Sequence, residues 1–119
     1  MTSGFKSLRG VKLADKTENS VTLEFSVPAN SPYYEGHFPD FPILPAVAQL
    51  EISVRFAAEH LGVGIDVAEI KRIKFSNLVK PDKAHLIRLE KNGKILTFKI
   101  YSPESETVYA SGTLTMRNG

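Results

Sequence analysis

The sequence predicts an α+β fold, with one long buried central helix wrapped by an antiparallel β-sheet. Three observations carry this. Ala46 to Leu61 sets apolar residues at three-four spacing over a wide face. The residues after it read as strands, two of them joined across Asn92-Gly93, a strong hairpin signal. Ahead of the helix, Val21, Leu23, Phe25 and Val27 alternate with Thr22, Glu24 and Ser26, as in a half-buried strand. One helix against several antiparallel strands is a recurrent layer arrangement.

The elements follow in order. Phe5 to Asp15 is weakly patterned, with Leu8, Val11 and Leu13 as apolar points, and reads as a short edge strand. Ser20 to Val27 is the first clear strand, ended by Pro28-Ala29-Asn30-Ser31-Pro32. In the helix, Val47, Leu50, Val54, Ala57 and Leu61 form one apolar face, and Ala48, Ile52 and Phe56 a second, so it is buried on most sides. Pro45 suits its first position, and Gly62 its C-terminal stop. Beyond it, Glu69 to Val79 reads as a strand and Pro81-Asp82 as a turn. Leu86 to Glu90 pairs with Lys94 to Tyr101, and Val108 to Met116 forms the last strand.

Composition bounds the function. The 119 residues suit one domain spanning 1–119, short enough for oligomerisation to help it. A net charge of +2, with no long basic run, argues against nucleic acid. The absence of cysteine excludes disulfides and thiolate metal sites and fits a cytoplasmic location. The first residues lack the apolar core of a signal peptide, and no run is apolar and long enough to span a membrane. His60, near the helix end, reads as a C-terminal charge or cap, and His85 as a strand surface residue; their spacing suggests no metal site.

The most informative stretch is GHFPDFPILPAVAQLE, from Gly36 to Glu51. Pro39, Pro42 and Pro45 each fix their own φ and push Phe38, Phe41 and Leu44 toward extended geometry. His37 sits at the head of this stiff connector, and Glu51 on the helix beyond it. A histidine and a carboxylate so held form a plausible acid–base pair. By themselves, His37 could be a structural hydrogen-bonder, and Glu51 could pair with Arg55 at i+4.

The stretch resembles the 3-hydroxyacyl-[acyl-carrier-protein] dehydratases of the hotdog fold. That family carries Gly-His-Phe-Pro-Gly-x-Pro-Ile-x-Pro-Gly-Val, with an acid fourteen positions after the histidine. Gly36, His37, Phe38, Pro39, Pro42, Ile43, Pro45 and Val47 match without a gap, and Glu51 stands where the acid falls. Ile73-Lys74-Phe75 and Val79-Lys80-Pro81-Asp82 look like the family's later strand and turn, so the likeness runs from about Ser20 onward. The shortness of the chain is closer to the compact dehydratase-like proteins of secondary pathways, such as aryl-polyene synthesis, than to the housekeeping fatty-acid enzyme.

The resemblance implies a dimer whose sheets join edge to edge, with His37 of one subunit working beside Glu51 of the other. It implies removal of water from a 3-hydroxyacyl thioester on acyl-carrier protein, leaving the trans-2-enoyl thioester. His37 would take the α-proton, since an imidazole titrates near neutrality. Glu51, flanked by Leu50 and Ile52 in an expected dry site, would protonate the departing hydroxyl. The amide of Ala46, at the position of the family's glycine, would hold the enolate oxygen. Phe38, Phe41 and Arg55 are candidates to line the substrate path, whereas Phe56 is better placed as core. Lys71, Arg72, Lys74 and Lys80 are candidates to dock the acidic carrier protein, or else a solvated strand face. No cofactor is expected, because neither a phosphate loop nor a dinucleotide fingerprint occurs. The partner subunit could be a second copy or a hotdog paralogue.

Three departures from the family pattern stand out. Asp40-Phe41 replaces the common Gly-x pair, Ala46 replaces glycine, and Arg55 stands where glutamine is common. An arginine beside Glu51 would make it a poorer proton donor. An acyl-thioesterase, with Glu51 acting on water, and a non-catalytic heterodimer subunit are the competing readings.

Overall fold

The computed structural model describes residues 4–34 and 44–117. His37, Phe38, Asp40 and Phe41 lie outside the described residues.

After a 3-10 turn at Gly4–Ser7 come β1 (Arg9–Lys16) and β2 (Ser20–Ser26). A second 3-10 turn (Pro32–Tyr34) precedes α1 (Ala46–Leu61). Four strands follow: β3 (Val67–Phe75), β4 (His85–Asn92), β5 (Ile95–Tyr101) and β6 (Val108–Met116). The strands form one antiparallel sheet in the order β1-β2-β4-β5-β6-β3, so the strand just after the helix crosses to the far edge.

The helix has the expected bounds, and its ends have local causes. Pro45 is the residue before the helix, not its first turn: at φ −66° and ψ 154° it is still extended. Its carbonyl accepts the N–H groups of Ala48 (3.0 Å) and Gln49 (3.1 Å). Gly62 closes the helix in the left-handed region, φ 68°, where a Cβ is disfavoured. The hairpin turn is shifted by one residue from the expected place. Asn92 pairs with Ile95, so Gly93 and Lys94 are the central residues. Gly93, at φ 61°, takes the first central position, where a two-residue turn favours glycine.

The helix lies across one face of the sheet. Ile52, Phe56 and Ala57 are buried against Leu23, Phe25, Ile87, Leu89, Phe98, Ile100 and Leu114 in one apolar cluster. The rings of Phe25 and Phe56 meet edge to face at 6.0 Å. Gly112 makes room for this packing: a Cβ there would stand 2.9 Å from Phe98 Cε1 and closer still to Ile73 Cδ1. Burial of the helix is less complete than its composition predicts. Val47 is 75% exposed, because the helix rests on the sheet by the side bearing Ile52 and Phe56, and Val47 lies off it.

His85 is a second correction. Expected at the surface, it is fully buried at the start of β4, opposite Phe25 and against the Tyr109 ring at 4.7 Å. Ile87 and Leu89 point to the core, and the period of two carries His85 inward with them. Among the described residues neither ring nitrogen makes a well-formed hydrogen bond, and the Lys83 backbone offers at best a weak one. Burial holds its pKa below the usual imidazole range; the Lys83 ammonium reinforces this and the Lys83 backbone opposes it. His60 lies in the last turn of α1, where its backbone carbonyl accepts a hydrogen bond from Lys16 Nζ (2.7 Å).

Candidate active site

Both described flanks of the His37 loop are anchored in the core. On one side Tyr33 and Tyr34 are buried, and the Tyr34 hydroxyl donates to the Val79 carbonyl at 3.4 Å. Burial, helped by the Asp82 carboxylate, pushes the Tyr34 phenol up to about 12, so it remains a neutral donor. On the other side Leu44 is buried, and its carbonyl accepts from Gln49 Nε2 at 3.1 Å.

Glu51 projects from the second turn of α1 on the side away from the sheet. It borders a cleft of about 310 Å³ with Val47, Leu50, Val54, Arg55, Ile65 and Val67. Five of those seven lining residues are aliphatic, and Val47 and Ile65 are exposed in the single chain. The expected dry site is therefore only apolar, not closed: the Glu51 side chain keeps 36% of its exposure, because only one side of α1 is covered by the sheet. Arg55 does what the plain i+4 spacing predicts. Its Nε lies 3.4 Å from Glu51 Oε1, and its guanidinium carbon lies 5.9 Å from the centre of the Phe5 ring. Phe56 is core, 2% exposed, and lines no substrate path.

A second cleft, of about 410 Å³, opens at the start of α1. Leu44, Pro45, Ala46 and Gln49 form one wall, and Phe75 to Leu78 the other. Ala46 is the first helical residue, so its N–H has no intrahelical acceptor and sits at the positive end of the helix dipole. That is the geometry an anionic oxygen needs. Gln49, which the sequence reading passed over, lines the same cleft and is 4% exposed. Its signal was a polar residue on the buried face of an apolar helix.

The four docking candidates are all exposed but are not one patch. Lys71 is paired with Glu69 at 2.8 Å. Arg72, at φ 55° in a bulge of β3, shares a depression on the outer sheet face with Arg88 and Lys99; Lys71, Lys74 and Lys80 do not line it. Arg88 and Lys99 were missed because they become neighbours only through the β4–β5 register.

Comparison with known proteins bears on this geometry. A curated relative, 3-hydroxyacyl-[acyl-carrier-protein] dehydratase FabZ of Streptococcus suis, is 25% identical over 91% of this chain and 84% of its own length. Among solved structures, a chain of the dehydratase heterocomplex ApeI:P from Xenorhabdus doucetiae superposes with a TM-score of 0.78 at 20% identity, covering 88% of this chain and 93% of that one. An uncharacterised protein from Erwinia carotovora subsp. atroseptica gives a TM-score of 0.70 at 27% identity, covering 93% and 92%. Thioesterase superfamily member 2 from zebrafish shares the fold at a TM-score of 0.62 and 19% identity, covering 92% and 81%. One helix on a six-stranded antiparallel sheet is here the hotdog fold. The family model for the ApeI dehydratase matches residues 13–113, which include the anchored loop ends, Ala46 and Glu51, and the chain belongs to the ApeI-like dehydratase family.

Proposed function

We propose that the protein dehydrates a (3R)-3-hydroxyacyl thioester carried on acyl-carrier protein to the trans-2-enoyl thioester. The observation that carries this is Glu51: the residue in register with the family acid emerges into an open, apolar cleft rather than into solvent or core. His37 takes the α-proton, the Ala46 amide receives the charge that develops on the thioester oxygen, and Glu51 delivers a proton to the 3-hydroxyl, which leaves as water. Atoms balance, with one proton gained by His37 and one lost by Glu51. The carrier protein supplies the pantetheine arm, so the reaction needs no further cofactor.

The exposed Val47 and Ile65 around Glu51 favour a partner subunit covering this side of α1, either a second copy or a hotdog paralogue. His37 of one subunit then works with Glu51 of the other. Arg72, with Arg88 and Lys99, and the exposed Lys71, Lys74 and Lys80 favour an acidic carrier protein. Membership of the ApeI-like dehydratase family supports a reaction in fatty-acid or aryl-polyene-type synthesis.

One observation favours a second reading. The Arg55–Glu51 pair turns the carboxylate toward Arg55 in an open cleft, where it can orient a water molecule. A thioesterase would use it so. Mass spectrometry of a 3-hydroxyacyl-carrier substrate with wild type, His37→Ala and Glu51→Ala separates the two. Loss of one water with wild type, abolished in both variants, is the expected result. Release of free acid and free carrier thiol would establish hydrolysis instead, and an unchanged substrate would leave the chain as a binding subunit.

A further inference from the structure

A residue in the wall of the cleft at the start of α1 carries a buried hydrogen-bond acceptor that is unused among the described residues. Gln49 is 4% exposed. Its Nε2 donates to the Leu44 carbonyl at 3.1 Å, which settles the orientation of the amide, since only the NH₂ end can donate. Its Oε1 is then buried with no partner among the described residues. Buried acceptors are almost always satisfied, and an orphan in a binding cleft points to a group the cleft receives.

The donors stand close by. Ala46 lies three residues earlier on the same helix, so it shares a face with Gln49, and its N–H is unused by the helix. Leu44, Phe75 and Leu78 supply apolar walls. The cleft thus offers a donor and an acceptor one helical turn apart in apolar surroundings. Its complement is a ligand with a carbonyl oxygen and a hydroxyl hydrogen close together on an apolar chain. A 3-hydroxyacyl thioester has both, two carbons apart. The enoyl product keeps the carbonyl and has lost the hydroxyl.

We infer that Gln49 recognises the 3-hydroxyl of the substrate: Oε1 accepts the hydroxyl hydrogen while the thioester oxygen rests on the Ala46 amide. The inference rests on the dehydratase reading above. A hydroxyl has one hydrogen and two lone pairs, so engaging the hydrogen on Gln49 leaves a lone pair for protonation by the acid of the other subunit, since this chain's own Glu51 borders the other cleft. Gln49 neither gains nor loses a proton. When the C3–O bond breaks and water departs, this hydrogen bond is lost from the organic product, so the site holds substrate more tightly than enoyl product. A pantetheine amide N–H offers the same chemistry from a different part of the substrate, and the test separates the two.

The test is equilibrium binding, by calorimetry on the full chain, of pantetheine amides in which nitrogen replaces the reactive thioester sulfur. One carries a 3-hydroxyacyl group and the other its 3-deoxy counterpart; both retain every pantetheine amide. Wild type should prefer the hydroxy ligand about tenfold, the worth of one buried hydrogen bond. Gln49→Met, close in volume, should bind both equally. The same preference in Gln49→Met, no preference in wild type, or no binding of either ligand overturns the inference. An equal loss of affinity for both ligands in Gln49→Met, with the preference kept, also overturns it, and assigns Oε1 to the pantetheine arm. If Gln49→Met does not fold, a 3-methoxy ligand on wild type decides. It lacks only the donated hydrogen, and binding as tight as that of the hydroxy ligand refutes the assignment. Water loss from the carrier substrate without hydroxyl preference sinks Gln49 alone; hydroxyl preference without water loss sinks the dehydratase reading alone.

Discussion

Lowering the pH should destabilise this protein through His85. The imidazole is fully buried between Phe25 and Tyr109, with no well-formed hydrogen bond to either nitrogen among the described residues. Burial depresses its folded pKa below the ordinary value of 6.5. The unfolded chain therefore binds a proton that the folded chain refuses. This contribution to stability is fully present above the unfolded pKa and is lost as pH falls toward the folded one. Going from about pH 7.5 to about pH 5.5 then costs on the order of 1 kcal/mol for this one proton. Urea unfolding of wild type and His85→Leu at both pH values, at one protein concentration, measures it. The leucine variant should lose on the order of 1 kcal/mol less than wild type over that interval, whatever its stability at the upper pH. All other ionisable groups are common to both proteins and cancel in the difference. Equal pH dependence in the two proteins would refute the reasoning, because it would mean that His85 takes up its proton without unfolding.

Other perturbations test the packing and the site. Gly112→Ala drives a methyl group into Ile73 and Phe98 and should cost about 1–3 kcal/mol in denaturant unfolding. Ile52→Ala empties the fully buried centre of α1 beside Glu51 and should cost about 2–5 kcal/mol. Gly62→Ala forces a Cβ into the left-handed region at the helix stop, with no neighbour to clash, and should cost about 1–2 kcal/mol. Arg55→Gln removes a partly exposed i,i+4 pair, so the melting temperature should barely move. Its steady-state dehydration rate should rise, because Glu51 is released from the ion pair and can turn toward the substrate; a slower rate would show that Arg55 assists the substrate.

Much of the fold was legible because its signals are local. The span of α1 follows from apolar spacing and from Gly62, and β2 and β6 follow from alternation at a period of two. The hairpin was recognised, but its turn falls at Gly93-Lys94, since glycine at the first central position satisfies the backbone as well as Asn92-Gly93 would. The site was legible only as a motif. The register of Gly36 to Glu51 marked Glu51 and Ala46, and the structure sets them on two clefts of one helix. Local spacing could not reveal that Gln49, an ordinary helix former, ends with one amide end bonded and the other orphaned.

The sequence by itself determined the element order, the helix, and the family to which the anchored loop and its acid belong, because periodicity and motif spacing are properties of neighbouring residues. Only the tertiary structure decided which residues face which. It buried His85 between Phe25 and Tyr109, and it brought Arg72 beside Arg88 and Lys99. It left Val47 and Glu51 on the uncovered side of α1 and placed Gln49 at the mouth of the second cleft. Those outcomes depend on sheet order and on the side by which the helix docks, and both are set by contacts between residues far apart in the chain.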